Sequence, residues 1–123
     1  MAMISKDYAL RLWKKRYGGQ DYVRDCFGVW IFRDDYNDPS TKRSRLNNGK
    51  MFHYGWAIDH IYPKSQGGND NDNNLEIMHI ETHLLKADSL VILYKHKPYQ
   101  VRRIEGKRHY AIFDEEGKKV SRN

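Results

Sequence analysis

Side chains that could bind a cation or move a proton are concentrated in the middle of this sequence. His79, His83 and Lys86 are spaced by four and three residues, so on a helix their side chains share one face. Two imidazoles at this spacing are a common way to hold a metal ion, although two exposed helix histidines have the same spacing. Asp59 and His60 add a carboxylate and an imidazole at the end of an apolar stretch. These residue types are typical of metal binding or general base catalysis.

The elements that must position these side chains are two strands and a helix. Residues 52–61 are aromatic and β-branched enough for a strand, and residues 75–78 are a short second strand. The polar segment 63–74 between them is a long loop, and loops of that length are uncommon without a function. The next segment is predicted to be a helix that buries an apolar stripe: Ile80, Leu84, Ala87 and Val91.

The strand that ends in Asp59 and His60 must stop or twist there. Neighbouring residues on a regular strand point to opposite faces, so Asp59 and His60 reach one phosphate only if the strand does not continue. Pro63 favours an end. A surface carboxylate beside a structural histidine is the alternative interpretation of this dipeptide.

The flanking segments predict one small α+β domain over residues 1–123. Residues 6–17 have a helical apolar face, with Ser5 as N-cap and Gly18 as stop signal. Three tryptophans are predicted to lie in the core: Trp13, Trp30 and Trp56. The other predicted elements are a hairpin around Gly28, a loop over residues 34–50, and strands over residues 91–94, 99–103 and 110–113.

Composition excludes several classes of protein. The chain has 123 residues, 39% of them hydrophobic, and it contains no apolar run long enough for a membrane span. Cys26 is the only cysteine, which excludes an internal disulfide and a zinc site built from cysteine pairs. The first residues lack the apolar core of a secretory signal, so we expect a cytoplasmic protein without membrane association.

Charge is distributed in three blocks along the chain. Residues 1–50 carry a net charge of +5, residues 51–85 carry −4, and residues 86–123 carry +5. Basic flanks suit a polyanion such as nucleic acid, whereas the acidic, histidine-rich centre suits a cation. Lys42, Arg43 and Arg45 form a basic cluster that could contact phosphate or simply be solvated.

The order of motifs in the central segment resembles the HNH endonucleases, whose core is the ββα-metal fold. The motifs are Asp59-His60-Ile61-x-Pro63, then Gly67-Gly68, then Asn74-Leu75, then His83-x-x-Lys86. The similarity covers residues 54–88 tightly and looks like the small bacterial and phage members. It implies an N-terminal helix and hairpin over residues 1–50, the metal core over residues 52–89, and a small C-terminal β extension over residues 90–123.

The resemblance implies a role for each motif residue. His60 would be the general base that activates water, and Asp59 and His83 would hold one divalent cation. Asn74 would fix the loop beside the His60 strand, although an ordinary turn asparagine is its alternative. His79 is a further candidate ligand, because two histidines at this spacing both bind the metal in the related nuclease colicins, whereas in other branches the equivalent residue is not a ligand.

The expected activity is hydrolysis of a phosphodiester in double-stranded DNA, with a monomer or a homodimer left open. We expect Mg²⁺, and histidine ligands also admit Mn²⁺, Ni²⁺ or Zn²⁺. The candidate phosphate contacts are Lys42, Arg43, Arg45, Lys86, Arg102 and Arg103. A domain that binds nucleic acid without cleaving it, and a nuclease that acts on RNA or branched DNA, are the alternatives.

A second motif match competes for the polar loop. Asp70, Asp72 and Asn74 alternate as in a calcium-binding EF-hand loop, but Leu75 occupies the position of the required glycine. Pro63 and the two glycines also leave no helix before the loop. The sequence therefore argues against a calcium site here.

Overall fold

The fold is described by a computed structural model, which covers residues 4–43 and 50–123. Within these residues the chain is a small α+β protein with two α-helices and several small sheets, which confirms the α+β part of the predicted fold class. The elements are α1 (Lys6–Tyr17), β1 (Tyr22–Arg24), β2 (Trp30–Phe32), β3 (Lys42–Arg43), β4 (Phe52–His53), β5 (Trp56–His60), β6 (Leu75–His79), α2 (Ile80–Lys86), β7 (Val91–Tyr94), β8 (Lys97–Arg103) and β9 (Tyr110–Asp114). Neither helix has the length and apolar character that a membrane crossing requires.

The chain forms two compact units. The first unit comprises the described residues up to Ile58 together with Ile77–Ile80, and the second comprises Asp59–Glu76 and Glu81–Asn123. β1 pairs antiparallel with β2, β3 with β4, and β7 with β8 and β8 with β9. β5 pairs with β6.

The first unit is built on α1 and an aromatic core. The Ser5 side chain accepts a hydrogen bond from the Tyr8 amide, and Gly18 ends the helix with φ of 61°, as its N-cap and stop signals predict. The buried Trp13 and Trp56 rings lie 4.9 Å apart between centroids. Trp30 is only half-buried, with the Arg24 guanidinium over its ring, so its predicted place in the core is wrong.

The second unit contains the three-stranded sheet and most of α2. The buried apolar residues of this unit come from the sheet and from the segments around β5 and β6: Ile61, Leu75, Ile92, Val101, Ala111 and Ile112. The predicted strands at residues 91–94, 99–103 and 110–113 are present as β7, β8 and β9. These elements follow from local β-branched patterning, which needs no tertiary information.

The orientation of α2 differs from the sequence prediction. Leu84 of the predicted buried stripe is 68% exposed, and Val91 beyond the helix is 63% exposed. The buried side chains of the helix are Thr82 and Lys86. The helix therefore buries a polar face, because the partners of that face are a carboxylate and a backbone carbonyl rather than an apolar surface.

The predicted strand over residues 52–61 is two strands. β4 ends at His53 and β5 begins at Trp56, with Gly55 between them. A Cβ atom at Gly55 would lie 2.0 Å from the Asp38 carbonyl oxygen, so the backbone passes too close for any larger residue. This tertiary contact interrupts a run that local propensity reads as continuous.

Candidate functional site

The end of β5 presents the first two candidate residues. Asp59 is buried and His60 is partly exposed as the strand finishes. Beyond the strand, the Ile61 amide donates to the Asn74 carbonyl oxygen at 2.9 Å, so the chain after His60 is held against the end of the polar loop. The strand end that Pro63 predicted is therefore present.

A buried ionic cluster forms around the Asp59 carboxylate. His83 Nδ1 lies 3.0 Å from Asp59 Oδ1, and because an ionised carboxylate only accepts, the imidazole donates this hydrogen bond. Lys86 Nζ lies 3.0 Å from Asp59 Oδ2, with the two side chains 0% and 1% exposed. The ammonium also donates to the His60 carbonyl oxygen at 3.0 Å. One face of α2 thus contacts the last two residues of β5.

Asp59 Oδ2 is buried and receives no hydrogen bond from the described residues. The Lys86 ammonium is close enough for an ion pair, but it lies outside the directions that a hydrogen bond to this oxygen requires. A buried carboxylate oxygen without a hydrogen bond is costly. Oδ2 is therefore a buried acceptor whose charge is balanced by an ammonium but whose hydrogen-bonding capacity is not used, and a cation that bound here would compete with Lys86.

His60 is held by a second carboxylate. Its Nε2 lies 2.7 Å from Asp70 Oδ1, and the imidazole is 19% exposed. Lys64 Nζ donates to the other Asp70 oxygen at 2.9 Å. The Lys64 ammonium, followed by the His60 imidazole, lowers the pKa of Asp70, so this carboxylate is ionised at neutral pH.

Sequence reasoning missed Asp70, which it considered only as part of a rejected calcium loop. The residue follows His60 by ten positions within an irregular segment. No periodicity relates such positions, so the sequence held only a weak signal, namely an acidic residue in an unusually long loop.

Asn74 fixes the two ends of that loop. Its Oδ1 accepts from the Tyr62 amide at 2.9 Å, and its Nδ2 donates to the carbonyl oxygens of Tyr62 and Asn69 at 3.1 and 2.9 Å. The side chain is buried, and these bonds use both its acceptor and its donors. Among the crowded asparagines of the loop, Asn74 is the one that ties the chain beside His60.

His79 belongs to the first unit, where its side chain has other contacts. Its Nε2 lies 2.9 Å from the His53 carbonyl oxygen and donates to it, because a carbonyl oxygen only accepts. Its ring is stacked on Phe52 and lies 4.5 Å from the His53 ring between centroids. A nitrogen that donates such a bond cannot ligate a metal at the same time, so the structure gives Nε2 of His79 a structural role.

The basic residues of the first unit differ in what they contact. Arg43 binds both oxygens of the buried Asp35, each at 3.0 Å, and this hydrogen bonding raises the pKa of its guanidinium. The guanidinium group of Arg43 is therefore bound to a carboxylate within the protein. Lys42 is exposed on β3. Arg45 lies outside the described residues.

Arg102 and Arg103 lie next to each other on β8 and so point to opposite faces of the sheet. The Arg102 guanidinium lies over the Phe113 ring, 4.5 Å from its centroid. Arg103 Nε donates to the Lys107 carbonyl oxygen at 2.8 Å. The two arginines therefore cannot serve one phosphate, although the sequence places them together.

Chemically, the second unit offers a partly exposed imidazole beside a buried carboxylate, an imidazole and an ammonium. This combination can deprotonate a water molecule and neutralise negative charge at one place. Comparisons with protein-family models, with curated proteins and with solved structures find no match for this chain.

Proposed function

We propose that this protein is a metal-dependent endonuclease of the HNH type that hydrolyses a phosphodiester bond of DNA. The observation that carries the proposal is the contact of His83 Nδ1 with Asp59 Oδ1 at 3.0 Å, one residue before His60. It joins the two residues that the family resemblance gives to the metal, directly beside the residue that it gives to the attacking water. The pairing of β5 with β6, followed at once by α2, is compatible with a ββα core.

The residues present fit one divalent cation. Asp59 Oδ2 has no hydrogen bond, and His83, which is 32% exposed, has its imidazole on the same carboxylate. To ligate the cation, His83 Nδ1 would give up the proton that it donates to Asp59 Oδ1, and the neutral imidazole would carry its proton on Nε2. Two protein ligands suit an ion that keeps several water or phosphate oxygens in its coordination shell, as Mg²⁺ usually does. A histidine donor also admits Mn²⁺, Ni²⁺ or Zn²⁺. When bound, such an ion would polarise the scissile phosphate and stabilise the leaving oxygen.

His60 is the proposed general base, and its contact with Asp70 determines which ring nitrogen can accept a proton. Since Nε2 donates to Asp70 Oδ1, the proton of the neutral imidazole is on Nε2 and the lone pair is on Nδ1. Nδ1 is therefore the atom that accepts a proton from water. Asp70 acts as a positioning residue, and Lys64 holds it in place from the other side.

Lys86 balances charge at the site. Its ammonium neutralises Asp59 inside the protein and keeps its hydrogen bond to the His60 carbonyl oxygen. This bond fixes the backbone of the base. Because the side chain is fully buried, Lys86 is proposed to organise the site rather than to contact DNA phosphate, which revises the role expected from the sequence.

DNA is the proposed substrate because both ends of the chain are basic and phosphate contacts dominate affinity for DNA. The family resemblance implies products with 5′-phosphate and 3′-hydroxyl ends. Cleavage of RNA or of branched DNA would use the same groups, so these substrates belong in the same assay.

The test is plasmid cleavage by His60→Asn. Asparagine can still donate to Asp70 but has no base of suitable strength, so cleavage should fall by about a hundredfold or more while DNA binding persists. His96→Asn is the matched control, because His96 is exposed at the β7–β8 turn and asparagine tolerates its φ of 66°. The assay is run with Mg²⁺, Mn²⁺, Ni²⁺ and Zn²⁺ in turn.

Two results would contradict the proposal. One is a His60→Asn protein that cleaves as fast as the unmodified protein. The other is an unmodified protein that binds DNA but cleaves it with none of the four metals, which would favour a domain that only binds nucleic acid.

A further inference from the structure

A cavity of about 270 Å³ lies in the second unit, beside the chain that leaves His60. The loop after β5 forms one wall and the β8–β9 turn forms the other. The lining residues that matter here are Tyr62, Asn74, Arg103, Arg108, His109 and Tyr110. The resemblance to nucleases gives no role to the second wall, because it lies in the C-terminal extension.

The charge lining this cavity is uncompensated. Arg103 is oriented by its bond from Nε to the Lys107 carbonyl oxygen, and Arg108 forms no ion pair or hydrogen bond through its side chain with the described residues. His109 adds an imidazole, and no carboxylate lines the cavity. Two guanidinium groups around one polar cavity repel each other and attract an anion.

Two tyrosines complete the wall. The Tyr62 and Tyr110 rings are stacked, with centroids 4.0 Å apart and planes 7° apart. The neighbouring Tyr110, followed by burial and a side-chain hydrogen bond between the two tyrosines, raises the pKa of Tyr62, so the Tyr62 hydroxyl keeps its proton. The cavity thus offers guanidinium, imidazole and hydroxyl donors to a ligand that needs only acceptors.

The position of the cavity relates it to the proposed base. Tyr62 follows His60 by two residues, a span of about 6.6 Å in extended chain. Asn74 both lines the cavity and hydrogen-bonds the Tyr62 backbone, so the cavity and the base are fixed to each other. Phosphates of one DNA strand rise by about 3.4 Å along the helix axis and lie further apart than this along the strand, so a phosphate next to the cleaved bond falls within reach.

We propose that this cavity is an anion subsite that binds a phosphate group flanking the cleaved bond of the DNA strand. The inference rests on the proposed nuclease function for the identity of the strand, whereas the affinity for phosphate rests on the cavity alone. Its consequence is that Arg103 and Arg108 set the position of the strand on the protein. A free phosphate ion is the other source of the same chemistry.

The test compares three charge-matched variants: Arg103→Gln, Arg108→Gln and Arg102→Gln. Arg102 is the control, because its guanidinium lies over Phe113 in a pocket that three acidic residues line (Asp114, Glu115 and Glu116). These carboxylates repel phosphate, so we no longer propose Arg102 as the phosphate contact that the sequence suggested. Binding of a short double-stranded oligonucleotide is measured by fluorescence anisotropy in EDTA, so that no cleavage occurs. The two cavity variants should each bind about tenfold more weakly, and the slope of log affinity against log salt should fall by about 0.9. Arg102→Gln should bind within about twofold of the unmodified protein.

A second arm titrates inorganic phosphate and follows backbone amide signals by NMR. Shifts confined to residues 67–69, 103 and 108–110, together with competition between phosphate and the oligonucleotide, would support the proposal. Phosphate binding without any loss of DNA affinity in Arg108→Gln would overturn it in favour of a free anion site. Equal DNA affinity of all three variants with no phosphate-induced shifts would overturn it entirely.

Failure here is distinguishable from failure of the proposed function. If the unmodified protein cleaves DNA but the cavity variants bind like Arg102→Gln, the nuclease stands and the subsite is wrong. If no metal supports cleavage but Arg108→Gln loses DNA affinity, the cavity binds a DNA phosphate and the catalytic proposal is wrong.

Discussion

Replacing Lys86 by methionine tests the buried ionic cluster directly. Methionine is unbranched and flexible, so it can fill the space of the lysine stem without its charge. In the protein as it stands, Lys86 Nζ lies 3.0 Å from Asp59 Oδ2 and 3.0 Å from the His60 carbonyl oxygen. Both side chains of the ion pair are buried. The variant therefore leaves a carboxylate without its counter-ion in the interior.

The expected loss of stability is large. Removing one partner of a buried ion pair costs about 3–5 kcal/mol, because the remaining charge is neither solvated nor paired. For a domain of this length, 1 kcal/mol shifts Tm by about 3–5 °C. Lys86→Met should therefore unfold about 10–20 °C below the unmodified protein in the presence of EDTA.

A divalent cation should reverse part of this loss. The ammonium and the cation compete for Asp59, and a single and a double positive charge about 4 Å apart repel by about 8 kcal/mol at an effective dielectric constant of 20. Without the ammonium, the carboxylate binds the cation more tightly, by about tenfold or more. Mg²⁺ or Mn²⁺ should therefore raise the Tm of Lys86→Met by more than it raises the Tm of the unmodified protein.

Differential scanning calorimetry with EDTA and with each metal measures both effects. Lys64→Met is the matched control, because the Lys64 side chain is 34% exposed and pairs with an exposed carboxylate, so the Tm of this variant should hardly change. If Lys86→Met fails to fold, the double variant with Asp59→Asn removes both charges and should recover stability. A Lys86→Met protein as stable as Lys64→Met would refute the buried ion pair, and equal metal-induced shifts in the two variants would refute the cation site.

Two further predictions concern the loops that hold the site and the first unit. Asn74→Ala removes the three hydrogen bonds of the Asn74 side chain and should lower the free energy of unfolding, measured by urea titration, by about 2–4 kcal/mol. Asn73→Ala, at an exposed neighbouring residue, should leave the free energy of unfolding unchanged. Equal losses in the two variants would show that the Asn74 side chain does not hold the loop. Hydrogen bonds from Thr41 and Ser40 hold the pKa of Asp38 well below its ordinary value of 3.8. Because a depressed carboxyl pKa stabilises the folded state above that ordinary value and loses this effect as the pH falls, the Tm advantage over Asp38→Asn should be full at neutral pH and shrink below about pH 3.8, and a pH-independent difference would contradict it.

Elements with local signals are predictable from this sequence. α1 is bounded by Ser5 and Gly18, whose capping roles depend only on their immediate neighbours. The β7–β9 sheet follows from short β-branched segments separated by turns. The interruption between β4 and β5 is harder to predict from the sequence, because the break at Gly55 depends on Asp38, seventeen residues away.

The candidate site is predictable only in part. Asp59 and His83 could be predicted as neighbours, because motif spacing relates the end of a strand to one face of the following helix. Their side chains are in contact. Their role as metal ligands stays a prediction. Asp70 could not be selected, because the conformation of the loop that brings it to His60 has no period. The cavity at Arg103 and Arg108 could not be selected either, since it requires the β8–β9 turn to meet the loop after β5.

The orientation of α2 is the point at which sequence rules fail, and the failure is informative. Hydrophobic periodicity favours burial of Leu84, because burying a leucine side chain contributes about 1.5–3 kcal/mol. The helix instead exposes Leu84 and buries Lys86, which packing alone does not favour. Chains break local rules of this kind mainly where a functional arrangement requires it. An exposed leucine on one face of α2 is the consequence of keeping Lys86 and His83 on the Asp59 carboxylate, so the same observation that defeats the prediction of the fold supports a functional role for this cluster.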